Sequence, residues 1–372
     1  MFNLQKTLMQ STAAMLFIAQ TLTAQNNCEP KCKPTPCPQP NPPTQVCEQD
    51  PCCPAWETPV LNAAYNYSAR PQTKCSWDLY VDASFVYWQP IQENMELALS
   101  NSLSGTEING SMVNMAFDYK PGFKIAMGGY FDYDNWDLSA EYTWFHSNQS
   151  KNTENLTGGV LLSTWQHPFA AGSFTKLTEK WNLKVDLADV DLGRWQYVGK
   201  NFTIRPNIGA RGAWIRQDVS VIGMVSTLNT SNITVKSHSW GLGAKTGVDT
   251  NWMIGSGFRV IGNAEADLLF TNYTGLSYRS LLPFTPANDI FIKQKSVYAV
   301  KPHLDLELGL GWSTYLDCNN WYLDFAATYE FQVFFDQNMF RHFNDDQMTA
   351  SSRLPNGNLY LQGLTLTAKL EY

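Results

Sequence analysis

The chain has 372 residues, of which 16% are charged and 13% aromatic, with 24 Gly and a formal net charge of −7. So few charges leave too little polar surface for an ordinary soluble domain, in which about a quarter of the residues are charged. The acidic balance excludes nucleic acid as a partner, because no basic stripe exists to neutralise phosphates.

At the N-terminus Lys6 forms a short basic region, and the apolar run from Ala13 to Ala19 is followed by Gln20, Thr21, Leu22, Thr23 and Ala24. This pattern predicts a secretory signal over 1–24 with cleavage after Ala24. The run is too short to span a bilayer, and nothing later approaches the roughly 20 apolar residues that a transmembrane helix needs. A membrane position therefore requires strands.

The stretch from 25 to 74 reads as a disordered periplasmic tail and linker. Cys28, Cys32, Cys37, Cys47, Cys52 and Cys53 lie there among prolines, which fix φ and remove backbone donors. The spacing holds no His and matches no common zinc pattern, so the thiols are read as disulfide candidates, within or between chains, rather than metal ligands. Cross-linking to copies of itself or to other envelope proteins follows as an expectation. Cys75 and Cys318 form a second candidate pair near the periplasmic ends of strands.

From 75 to 372 the dominant signal is period two, the mark of a strand with two unlike faces. It runs through Trp77–Tyr87, Phe123–Phe131, Trp136–Trp144, Phe202–Trp214, Leu304–Trp312 and Trp321–Val333. Between Val185–Leu187 and Val190–Leu192 the phase slips, which predicts a β-bulge near Ala188. Short connections at 132–135, 199–201, 254–257 and 317–320 carry Gly, Asn or Asp, the residues of tight turns. They alternate with long ones at 90–115, 146–179, 220–235, 274–295 and 337–357. This is the plan of an all-β, up-and-down antiparallel transmembrane barrel of ten strands, or of twelve or more if a further hairpin lies within 90–115 or 146–179. Turns face the periplasm and loops face outward. Trp77, Trp136, Trp252, Trp312 and Trp321 fall near the turn ends and Trp144, Trp214 and Trp240 near the loop ends, as two interfacial girdles. The chain closes on Leu370 and Tyr372, an aromatic terminus suited to recognition by the outer-membrane insertion machinery, with outer-membrane lipid as the other partner.

The alternation turns Asp78, Asp82, Lys124, Glu141, Arg205, Arg211, Lys245, Asp249, Arg259, Glu265, Asp267, Asp305, Glu307, Asp324 and Glu330 toward the lumen, with Asp137, Asp186, Lys184 and Lys369. Acids outnumber bases, which predicts a mild cation preference if the lumen conducts. The opposing possibility is that these charges pair and hold the barrel shut. No cofactor site and no hydrolase motif occurs. His303 beside Asp305 is the one His–carboxylate pair at a sensible spacing, and it reads as a satisfied lumen histidine, so the chain is expected not to be an enzyme. Asn-, Ser- and Thr-rich stretches at 147–157 and 226–234 leave a non-conducting structural or adhesin barrel as the alternative.

Several segments carry a family resemblance: AYNYSAR (64–70), CSWDLYVDASFVYWQ (75–89), PGFKIAMGGYFDYDNWDLSAEYTWFH (121–146) and DVDLGRWQYVGKNFTIRPNIGARGAWIRQ (189–217). Further carriers are WGLGAKTGVDTNWMIGSGF (240–258), LDLELGLGW (304–312), YEFQVFFDQNMF (329–340) and LYLQGLTLTAKLEY (359–372). Together they resemble the major-outer-membrane-protein-like, pore-forming family of Legionella and environmental chlamydiae. The resemblance implies an outer-membrane pore for small hydrophilic solutes with a structural role in the envelope.

Overall fold

The computed structural model describes residues 66–73, 77–102, 109–132, 134–154, 159–167, 173–226, 229–281, 289–317, 319–343, 352–353 and 357–372. The expected signal segment and all eight cysteines lie outside these residues.

Ten strands form one closed antiparallel barrel: β1 (Leu79–Gln92), β2 (Lys120–Tyr130), β3 (Asp137–Glu154), β4 (Lys176–Gly193), β5 (Phe202–Ser226), β6 (Asn229–Gly255), β7 (Phe258–Tyr273), β8 (Val297–Leu316), β9 (Trp321–Phe334) and β10 (Leu359–Glu371). Each pairs with its chain neighbours, and β10 closes on β1 in register from Tyr80↔Glu371 to Gln92↔Leu359. Closure satisfies every ladder donor and acceptor internally, which lipid cannot do.

Three of the four short turns carry residues in the left-handed region. Asp134, Asn135, Ser256, Asp317 and Asn319 all take positive φ, as does Gly257, the conformations that small polar residues and glycine tolerate. Lipid-facing positions are apolar in the turn-proximal half of each strand. Examples are Leu79, Val81 and Phe85 on β1, Ile125 and Met127 on β2, and Leu306, Leu308 and Leu310 on β8, all exposed. The two aromatic girdles lie where expected, with Trp214 directly opposite Trp240 at the outer edge and Trp77, Trp321 and Tyr372 grouped at the inner one.

Two expectations require correction. The long connections at 146–179 and 220–235 are largely strand: β5 and β6 run for 25 and 27 residues, against the 9–11 that cross a bilayer, and only 227–228 separates them. There is also no bulge at Ala188, because β4 pairs without a break with β3 from Asp137↔Gly193 to Glu154↔Lys176 and with β5 from Asn207↔Gly193 to Met224↔Lys176.

Both corrections have one cause. Beyond the outer girdle the polarity of the two faces inverts. On β5 the outward residues change from Ile204, Pro206 and Ile208 to Arg216, Asp218 and Ser220, while the inward ones change from Arg205, Asn207 and Arg211 to Ala213, Ile215 and Val219. On β4, Val190 and Leu192 face lipid whereas Val185 and Leu187 are buried inside. The strands thus leave the membrane and enclose a hydrophobic core.

That core is completed by the loops. Glu96–Ser102 and Asn109–Asn114 from the β1–β2 connection join Val160–Ser163 and Ser173–Phe174 from the β3–β4 connection in a four-stranded sheet. Its Leu97, Leu161 and Phe174 are fully buried in one cluster with Trp88 of β1, Phe145 of β3, and Trp181 and Leu183 of β4. Three of the tryptophans, Trp88, Trp165 and Trp181, are therefore core residues and not girdle residues.

Candidate functional site: a charged lumen beneath an apolar plug

Below the plug, at the level of the membrane, the lumen holds a cavity of about 320 Å3. Nine carboxylates and six bases line it, together with Tyr80, Tyr130 and Tyr322. Its periplasmic side is bounded by Ala69 and Pro71, from a segment that crosses the mouth. Ser68 bridges to Gln196, Arg70 Nη2 donates to Asp78 Oδ1 at 3.0 Å, and the Gln72 amide donates to Tyr315 Oη at 3.3 Å.

Thirteen of the fifteen expected lumen residues line the cavity: Asp82, Lys124, Glu141, Arg205, Arg211, Lys245, Asp249, Arg259, Glu265, Asp305, Glu307, Asp324 and Glu330. Two differ. Asp78 precedes β1 and caps the mouth through Arg70 instead of lining the lumen. Asp267 faces inward but is buried against His303, with Asp267 Oδ2 2.7 Å from Nδ1. His303 therefore pairs with its cross-strand neighbour Asp267; Asp305, two residues away along β8, is not its partner.

The bases are bound from several sides. Arg211 forks onto Asp189, with Nε to Oδ1 at 2.8 Å and Nη2 to Oδ2 at 2.5 Å, and also donates to Asp267 and Glu265 at 3.0 and 3.1 Å. Lys245 lies 2.8 Å from Asp191 and 2.9 Å from Glu265. Arg205 holds Asp137 and Asp249, Lys124 holds Glu330 at 2.7 Å, and Arg259 holds Asp324 at 2.5 Å. Lys369 Nζ stands 3.8 Å over the Tyr80 ring, a cation–π contact that also satisfies charge. Glu307 takes only neutral donors, Asn263 at 2.7 Å and Thr328 at 2.5 Å. Asp82 and Asp305 make no ion pair among the described residues.

Asp189 and Asp191 were not foreseen, because the supposed bulge disguised the phase of β4. Asp186 and Lys184, expected inside, point outward. Once lipid-facing Val190 and Leu192 set the phase, simple alternation locates all four. Tyr80, Tyr130 and Glu371 were legible as inward positions but offered no charge cluster in sequence.

A closed ten-stranded barrel with lipid-facing apolar bands and a charged interior defines an integral outer-membrane protein. The profile of the Legionella pneumophila major outer membrane protein precursor family matches residues 69–372, and the chain belongs to that family. No curated protein matches the sequence. Among solved structures, the chain is similar to the outer membrane protease OmpT of Escherichia coli at 11% identity and TM-score 0.39, covering 82% of this chain and 99% of that one. It is similar also to the attachment invasion locus protein Ail of Yersinia pestis (9% identity, TM-score 0.24, 78% and 97% covered). A third is the translocator domain of the autotransporter NalP of Neisseria meningitidis (11%, 0.30, 79% and 88%). Likeness at this level carries no information on activity.

Proposed function

We propose that the protein is a porin-like channel for passive diffusion of small hydrophilic solutes, with a preference for cations, whose outer end is gated by its own loop sheet. The observation that carries this reading is the excess of carboxylate facing the cavity. A barrel needed only as a scaffold gains nothing from Asp82 and Asp305, since a carboxylate held inside the barrel without a partner base costs stability. Such charges are kept where a path for ions or solutes runs. An envelope role through thiol cross-links of the Cys-rich N-terminal segment accompanies this reading. So does the absence of enzymatic activity: His303 and Asp267 are sealed from the cavity, so neither can meet a substrate there.

The apolar filling above the cavity favours a second reading, a non-conducting structural barrel. Planar-bilayer recording separates the two. The full chain should give infrequent cation-selective steps, and Leu97→Asp/Leu161→Asp, which charges the plug, should open far more often. Silence from both proteins, each shown to be folded by heat-modifiable gel migration, would leave the structural reading standing.

A further inference from the structure

We infer that the outward face of β3–β6, just beyond the outer girdle, is a binding site for the phosphorylated headgroup of an outer-leaflet lipid. The inference begins with register. His146 lies directly opposite Lys184, Lys184 opposite Arg216, and Arg216 opposite His238. These four basic side chains form one cross-strand row over four adjacent strands. One outward position nearer the membrane on the same strands, the row reads Trp144, Asp186, Trp214, Trp240. Each base therefore stands about 6.6 Å along its strand beyond a girdle position, at headgroup depth.

Acids hold the two ends of the row and leave its centre without a counter-ion. His146 Nε2 lies 3.3 Å from Asp186 Oδ1 and His238 Nε2 lies 3.1 Å from Asp218 Oδ1. Lys184 and Arg216, at the centre, are exposed and make no ion pair among the described residues. Directly opposed side chains have Cβ atoms roughly 4.5–5.5 Å apart, and like charges at that spacing repel. Lys180, two outward positions beyond Lys184 on β4, adds a further base and faces only Ser150 and Ser220. An anion seated between Lys184 and Arg216 relieves this repulsion and accepts charge-assisted hydrogen bonds from both.

The opposite side of the barrel shows that this is no general feature of the rim. There β9, β10 and β1 place Phe331, Gln362 and Gln89 in one row and Val333, Tyr360 and Ile91 in the next, without a base. Below the girdle row the outward positions on these strands are Tyr142, Ala188, Gly212 and Leu242 and then Ala140, Val190, Ala210 and Ala244, an apolar lipid-facing band against which acyl chains can lie. Phosphate above and hydrocarbon below, on one molecule, is the chemistry of a phosphorylated lipid; a free anion would use only the upper half.

Native mass spectrometry of the full chain in detergent tests this. The probes are bis-phosphorylated lipid A, the same lipid stripped of both phosphates, and inorganic phosphate as competitor. Wild type and Lys200→Gln, in a periplasmic turn, should retain the phosphorylated lipid. Lys184→Gln/Arg216→Gln should bind it about tenfold more weakly or worse, from the loss of two charge-assisted contacts. Excess inorganic phosphate should not displace it. Both substitutions are at exposed positions, and gel migration checks that the barrel is intact. Equal retention by the double variant, equal retention of the dephosphorylated lipid, displacement by free phosphate, or no binding by wild type overturns the assignment.

Discussion

Arg205 reaches past β4 to Asp137 on β3, donating from Nε to Oδ1 at 3.0 Å and from Nη2 to Oδ2 at 2.6 Å. The pair is buried, and Arg205 Nη1 also holds Asp249 at 2.8 Å. Removing one member of a buried pair strands the other and costs on the order of 3–5 kcal/mol. Arg205→Leu leaves two carboxylates without their base, so it should destabilise more than Asp137→Leu, which leaves Arg205 with Asp249. Asp137→Leu/Arg205→Leu should cost less than the sum of its singles. Urea unfolding in micelles measures all three, and strict additivity would show that the pair does not act as a unit.

The turn-proximal half of this molecule was legible in sequence because lipid outside and water inside impose one phase on every strand. Ile204, Pro206 and Ile208 against Arg205, Asn207 and Arg211 could be read only one way. The loop-proximal half was not, since Val185 and Leu187 look like lipid-facing residues until something apolar is known to fill the lumen. What fills it is Leu97, Leu161 and Phe174, which come from connections whose own sequence shows no strong alternation. A local pattern cannot show which long-range surface a strand will meet, so in sequence alone the inversion reads as a bulge and the upper strands as loops.

Glu179 lies in that upper half, about 23 Å along β4 from the girdle position Asp186 and so outside the membrane-spanning segment. It is fully buried beside the loop sheet, with neither carboxylate oxygen hydrogen-bonded. Burial first, and the nearby Glu96 second, push it up from the ordinary glutamate value of 4.5 to about 8. The folded state then binds a proton that the unfolded chain has released, so stability is full below about pH 4.5 and declines as pH rises through 8. Thermal melts of wild type should fall between pH 5 and 9, while Glu179→Gln should melt higher at pH 9 and lose most of this slope. An unchanged slope in the variant would refute the protonated state.

Cation preference rests on the margin of acids over bases around the cavity. Asp82→Asn/Asp305→Asn/Glu307→Gln removes three of the nine lining carboxylates and leaves six facing six bases. Reversal potentials in a salt gradient, measured in the plug-opened Leu97→Asp/Leu161→Asp background, should move from cation-selective toward zero. Retained selectivity would place its origin elsewhere, for example in Asp78 at the mouth. Because Asp82 and Asp305 have no base of their own, their neutral isosteres should leave stability unchanged or slightly raised.

Tyr372 stacks on Trp321 with ring centroids 4.3 Å apart and leans on Trp77 at 6.1 Å, while its backbone exchanges two hydrogen bonds with Leu79 at 2.9 and 3.1 Å. The backbone bonds close the barrel and survive any side-chain change. The ring contributes an aromatic contact of about 0.5–1.5 kcal/mol, so Tyr372→Ala should lower micellar stability only by that amount. A role as the signal read during insertion makes a different demand, because recognition needs the aromatic ring before the barrel exists. The assembled fraction in cells should then fall severalfold in Tyr372→Ala, well beyond the stability loss, and recover in Tyr372→Phe. Equal assembly of the Ala variant and wild type would reduce Tyr372 to a girdle residue like Trp321.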